Sequence, residues 1–194
     1  MELFAQLMKW DEFSGIATGV AACEEKDHDN EIMDYHGSKP YFQAWSQTQK
    51  SASSGKSLGN VRLQHDASKV AGRLTDLSFD DGNKRVIVSA QIVDPVAKEL
   101  LRTGCLTGFS IGGDYGKRTT LPNGVTKYVA IPSEVSVVDR PCQPSATFTA
   151  VKSDGTTELR KFFPRTEQTK IKKGIGNYSV RRLALMVSRG YQPM

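Results

Sequence analysis

The sequence predicts a mainly β fold, an antiparallel barrel or sandwich with helical additions, followed by a basic C-terminal tail. Three observations carry this. Between Ser14 and Lys152, about six or seven short runs are rich in β-branched and alternating apolar residues. Turn signals such as Asp80-Asp-Gly-Asn83 and Leu121-Pro-Asn-Gly124 separate them. A single segment, Asp94 to Gly104, carries both the start and the stop signal of a helix. A chain of 194 residues with 38% hydrophobic side chains suits one domain plus a tail.

Taken in order, Ser14-Gly-Ile-Ala-Thr-Gly-Val-Ala-Ala22 reads as a strand of small residues, and Glu24 to Glu31 as a polar exposed loop. Pro40-Tyr-Phe-Gln-Ala-Trp45 opens a short helix with an aromatic face, and Gln47 to Gly59, rich in Ser, Lys and Gly, reads as a flexible loop. Strands follow at Asn60 to His65, Val70 to Phe79 and Lys84 to Val93, the last two joined by a hairpin turn at Asp80 to Asn83. Asp94 caps a helix with Pro95 at its first position, apolar Val96, Leu100 and Leu101, and a terminating Gly104. Leu106 to Gly112, Val125 to Ile131 and Glu134 to Val138 return to extended structure, and Ser145 to Lys152 adds a last strand.

Charge separates the tail from the body. Residues 152–194 hold ten Lys or Arg against three acids, +7, which leaves 16 basic and 18 acidic residues, −2, for the rest of a chain whose total is +5. We therefore divide the chain into residues 1–152 and a basic tail, 153–194, in which Val180, Leu183, Ala184 and Val187 share one face of a short amphipathic helix. Such a piece could dock on a scaffold, an acidic protein surface or a membrane. A basic appendage on a near-neutral body does not describe a nucleic-acid-binding body, and the strands lack the interleaved aromatic and basic residues of one. No run approaches the roughly 18 apolar residues of a membrane helix, and acids in the first 13 residues exclude a signal-peptide pattern, so a soluble, unexported chain is expected. Cys23, Cys105 and Cys142 have neither zinc-ligand nor disulfide-framework spacing, which fits a reducing cytoplasm and predicts no metal site.

Chemistry is concentrated at a few residues. In Thr107-Gly-Phe-Ser-Ile-Gly-Gly113, alternation sends Phe109 and Ile111 to one face and Ser110 to the other, with Gly108, Gly112 and Gly113 clearing room for a peptide and for N–H groups aimed at an oxyanion. A serine that merely lines a strand at a tight bend is the competing reading. His65, placed on the face of Val61 and Leu63, is the available base for such a hydroxyl; a hydrogen-bonded core histidine is the alternative. Glu134 and Asp139 flank the strand Val135 to Val138 on opposite faces, so one of them can orient His65. His28 and His36 sit among polar residues and read as solvated. Ser54-Gly-Lys-Ser57 lacks the earlier glycine of a phosphate loop, Asp27 to Glu31 lacks the turn glycine and closing glutamate of a calcium loop, and Cys105 reads as a small buried hydrophobe.

Together, Gly59-Asn-Val-Arg-Leu-Gln-His65, Ala71-Gly-Arg73, Ile92-Val-Asp-Pro-Val-Ala97, Thr107-Gly-Phe-Ser-Ile-Gly-Gly113 and Glu134-Val-Ser-Val-Val-Asp-Arg-Pro141 resemble the tailed-phage prohead proteases, in their phage serine protease branch, from about Phe13 to Lys152. That family is related to the herpesvirus assemblins. The resemblance implies a closed, mostly antiparallel barrel surrounded by helices, and a Ser–His catalytic pair that falls on Ser110 and His65. The third catalytic residue of assemblins is a histidine, and no histidine follows Ser110 here, so Glu134 takes that place with Asp139 as the alternative. Backbone N–H groups near Gly112 and Gly113, helped by Arg140, are expected to hold the oxyanion, with no cofactor. The implied task is cleavage of scaffold, capsid-protein extensions and the protease itself inside the procapsid in the host cytoplasm. Homodimerisation as in assemblins stays open. The competing class is a protease fold retained as a scaffold or capsid-assembly module.

Overall fold

The computed structural model describes residues 9–27, 29–140, 148–151 and 157–160. Its elements are β1 (Lys9–Asp11), β2 (Ile16–Cys23), β3 (Glu31–Met33), α1 (Tyr35–Ala52), β4 (Asn60–Leu63), β5 (Val70–Asp80), β6 (Arg85–Ile92), α2 (Pro95–Arg102), β7 (Gly108–Thr120), β8 (Thr126–Val138), β9 (Phe148–Val151) and β10 (Thr157–Arg160). The fold is mainly β, as expected. The strands form one sheet in the order β10-β9-β1-β2-β6-β5-β4-β8-β3, with β7 also paired to β8.

A closed barrel is not what forms. β2 and β7 lie near one another, but no ladder joins them among the described residues. β2 is already bonded along Ile16–Thr18 to β1 and on its other edge to β6. Between β2 and β7 sits a gap of about 100 Å³, lined by Ala21 on one side and Phe109, Ser110 and Ile111 on the other. The strands lie apart there, and among the described residues the second edge of β7 pairs with no strand.

The spine of the sheet is β8. One edge runs antiparallel to β7 from the pair Thr120–Thr126 to the pair Gly108–Val138. The other edge pairs in parallel with β3 near its start and with β4 near its end, at Val61–Val135, Arg62–Ser136 and Leu63–Val137. Val125 to Ile131 and Glu134 to Val138, expected as two strands, are one, because a bulge absorbs Ser133 between the pairs Gly112–Glu134 and Gly113–Pro132. Alternation then sends Phe109, Ile111, Val135 and Val137 toward the core shared with Val61, Leu63, Leu74 and Ile92, and leaves Ser110, Glu134 and Ser136 on the opposite face.

Helix α1 differs most from expectation. Asp34 caps it by accepting from the Gly37 N–H at 3.2 Å, so it begins five residues before Pro40 and continues to Ala52, through residues expected to be loop. Pro40 is tolerated because the carbonyl it leaves without a donor, that of His36, is on an exposed residue. Buried Tyr35, Ser38 and Phe42 turn the helix toward β8, where among the described residues no strand covers the edge between β3 and β4. There the Ala130 N–H donates to the Ser38 hydroxyl at 2.9 Å. Helix α2 forms where expected, with Asp94 accepting from Ala97 N–H at 2.7 Å, although Ala97 and Leu101 are buried while Val96 is exposed.

Cys105 is exposed rather than buried, since α2 ends in a turn at Gly104 and Leu106 takes the inward position. β9 runs parallel to β1 and antiparallel to β10, so the sheet continues to Arg160, beyond residue 152. The amphipathic segment of the tail lies outside the described residues, as does His28. Among the described residues, no helix is long and apolar enough to cross a membrane.

Ser38→Ala tests the docking of α1. It strands the buried Ala130 N–H without an acceptor, and we expect a loss of about 1–3 kcal/mol in urea unfolding with an unchanged slope. An unchanged midpoint would mean that the helix is held without this bond.

Candidate functional site

β4 stops at Leu63 because the next two residues, Gln64 and His65, adopt the left-handed conformation, with φ of 55° and 58°. Three bonds donated by backbone N–H groups impose the reversal: Gln64 N–H donates to Val137 O at 3.0 Å, His65 N–H to the side-chain Ser136 Oγ at 3.0 Å, and Asp66 N–H to Leu63 O at 3.0 Å. His65 therefore does not continue the apolar face of Val61 and Leu63. Its imidazole turns back over the outer face of β8 and stays 40% exposed.

There it meets Glu134. His65 Nδ1 and Glu134 Oε1 are 2.5 Å apart, and the other carboxylate oxygen accepts from Ser136 Oγ at 2.7 Å. The carboxylate side chain is 10% exposed. Burial alone would raise its pKa, but the hydrogen bonds from His65 and Ser136, with the positive charge of Arg62 nearby, outweigh burial and hold it below the ordinary 4.5. Gly112 explains how the carboxylate fits: a Cβ there would lie 2.1 Å from Glu134 Oε1. The room that glycine clears is occupied by Glu134. Gly113 answers a different close approach, since its Cβ would lie 2.2 Å from the Ile131 carbonyl oxygen.

His65, Glu134, Gly112 and Gly113 line one open cleft of about 590 Å³ with Arg62, Ala67, Ile111 and Ser133. Ser110 stands opposite Ser136 in the β7–β8 ladder, on the same face, so Arg62, Ser136 and Ser110 form one row across three strands. Its hydroxyl makes no hydrogen bond among the described residues, and it lines the gap beside β2 rather than the cleft of His65. The structure thus joins His65 to Glu134 directly and sets Ser110 one strand away. Asp139 is left outside: it follows the end of β8, is exposed, and meets this region through its backbone N–H, which donates to Gln64 Oε1 at 3.3 Å. Arg140 is exposed beyond the same strand end and does not line the cleft; the guanidinium side chain there is Arg62. His36 is exposed, its ring edge-on to Tyr35.

Two residues went unrecognised in the sequence. Ser136 is fully buried and bonded to both members of the pair. Its signal is the spacing Glu134-Val-Ser136, which puts two polar side chains on one face of a strand whose other face is valine. Arg62 is marked by the same alternation between Val61 and Leu63. No family model matches the chain, and no curated protein or solved structure matches it either.

Gly112→Ala must push the carboxylate away from His65. We expect a destabilisation of roughly 1–3 kcal/mol together with loss of the His65 Nδ1–H signal in NMR spectra; a retained signal would show that the carboxylate has another place to sit. Because the Glu134 pKa is lowered in the folded chain, its contribution to stability is complete above pH 4.5 and is lost as pH falls through the lowered value. Unfolding free energies of wild type and Glu134→Gln should accordingly converge as the pH is taken below 4.5.

Proposed function

We propose that the chain is a serine endopeptidase of the tailed-phage prohead protease type, which cuts scaffold, capsid-protein extensions and itself inside the procapsid. The observation that carries this reading is the pair His65 Nδ1–Glu134 Oε1, with the row containing Ser110 beside it. A carboxylate on Nδ1 fixes the tautomer that leaves Nε2 unprotonated, the form a general base needs. In the reading, Ser110 Oγ attacks the peptide carbonyl as Nε2 takes its proton. The imidazolium then protonates the leaving amine, and water repeats the attack on the ester with the same base. Arg62 is the cation in the cleft suited to the oxyanion, a task expected of Arg140 from the sequence. The row β2, β6, β5, β4, β8 and β7 stands as a counterpart of the assemblin barrel, left open between β2 and β7. The basic tail serves as the docking appendage toward an acidic scaffold or capsid surface.

One observation favours the second reading, an inactive protease-fold assembly module. Ser110 makes no hydrogen bond to His65, whereas attack requires a separation of about 2.6–3.2 Å. In unliganded enzymes such bonds often tighten only with substrate in place, and on that ground the enzyme reading is preferred.

The test is cleavage of a co-expressed scaffold protein and of the chain itself, read by mass spectrometry. Ser110→Ala and His65→Ala each abolish both, with cooperative melts retained. Glu134→Gln slows cleavage at least about a hundredfold and Asp139→Asn much less, because an orienting carboxylate sets the tautomer and offsets the imidazolium charge. Wild-type rates in Ser110→Ala would overturn the assignment; the reverse ranking of the two carboxylate variants would move the orienting role to Asp139.

A further inference from the structure

We infer that Ser136 is a positioning residue, whose single hydroxyl holds both His65 and Glu134 in their working arrangement. A serine hydroxyl has one proton to donate and lone pairs to accept with. Here both capacities are used, and their direction is forced. The backbone N–H of His65 can only donate, and it does so to Ser136 Oγ at 3.0 Å. The ionised carboxylate of Glu134 can only accept, so the Ser136 proton points at Oε2, 2.7 Å away. Glu134 closes the circuit through Oε1 to His65 Nδ1. Ser136 is 0% exposed, so no solvent molecule competes for either bond.

The backbone shows why this hydroxyl matters for presentation and not for packing alone. Gln64 and His65 both hold a left-handed conformation that non-glycine residues disfavour, and such a pair persists only where its surroundings over-determine it. Of the bonds that hold the turn, the one from the His65 amide ends on a side chain. Remove the hydroxyl and His65 loses its anchor at the same moment that Glu134 loses a donor. Ser136 also pairs with Ser110 across the ladder, so the atom that sets the imidazole sits beside the serine it is to serve. Acting through His65 and Glu134, Ser136 touches no reacting atom.

This deepens the protease reading, and its kinetic part rests on that reading; an exchange measurement stands without it. In Ser136→Ala, the His65 backbone amide and the Nδ1–H should both exchange with water at least about tenfold faster, while the global melt stays cooperative. Self-cleavage should fall about tenfold to a hundredfold in kcat with KM little changed, the range seen when a partner that orients a functional histidine is removed. Adding Ser136→Ala to Glu134→Gln should cost much less than it does alone, since both changes break the same chain of contacts. Ser136→Thr, which keeps the hydroxyl, should recover exchange protection and rate, and where the alanine variant fails to melt cooperatively the comparison is made with Ser136→Cys, a weaker donor. Unchanged exchange at His65 in a folded Ser136→Ala or Ser136→Cys variant overturns the proposal, and so do additive effects of Ser136→Ala and Glu134→Gln. If the wild type cleaves nothing, the protease reading fails, while the exchange data still decide the role of Ser136.

Discussion

A carboxylate taken out of water is tolerated only where donors replace its hydration, because an unpaired buried charge costs several kcal/mol. Glu134 is held by this constraint. It is nearly buried on the outer face of β8, with His65 on one oxygen and Ser136 on the other. The surrounding choices follow from it. Gly112 must lack a side chain because the carboxylate lies over it, and the chain after Leu63 must reverse through two left-handed residues so that an imidazole can come back to it. The bulge at Ser133 lets β8 keep its pairing with β7 on either side of the site.

Strand β8 sets up this arrangement. Its inner face contributes Val135 and Val137 to the core, so the polar residues between them are fixed to the other face by alternation. Its edges bring β4 with His65 to one side and β7 with Ser110 to the other. Where the edge has no strand, α1 supplies the acceptor for Ala130 N–H through Ser38. Strand β8 thus holds the pair His65–Glu134 beside its edge with β4 and sets Ser110 one strand away, opposite Ser136 on β7.

Strands with period-two patterning and the capped helix at Asp94 were legible in the sequence, because both signals are local. Helix α1 was legible only in part, at Pro40 to Trp45: Pro40 mimics a helix start and the Ser, Lys and Gly content from Gln47 mimics a loop, and what overrides them is packing of Tyr35, Ser38 and Phe42 on β8, which is a tertiary effect. The opening between β2 and β7 was hidden for the same reason, since strand closure depends on spacing between distant segments. At the site, the residue types His65, Ser110 and Glu134 stood out, with Asp139 as the alternative to Glu134; what was not legible is the reversal at Gln64 that brings His65 onto Glu134, which no residue type announces. Ser136 passed unnoticed because the spacing Glu134-Val-Ser136 marks only a polar face, while the burial of its hydroxyl between two partners is a tertiary fact.

The central claim is that Ser110 is a nucleophile whose base is His65 held by Glu134. Treating the full chain with a fluorophosphonate, a probe that forms a covalent bond with an activated serine oxygen, and mapping the adduct by peptide mass spectrometry tests it most directly. The account predicts one adduct, on Ser110, formed at least about a hundredfold more slowly in His65→Ala. An adduct on Ser133, which lines the cleft with His65, or labelling of Ser110 that does not depend on His65, would contradict it.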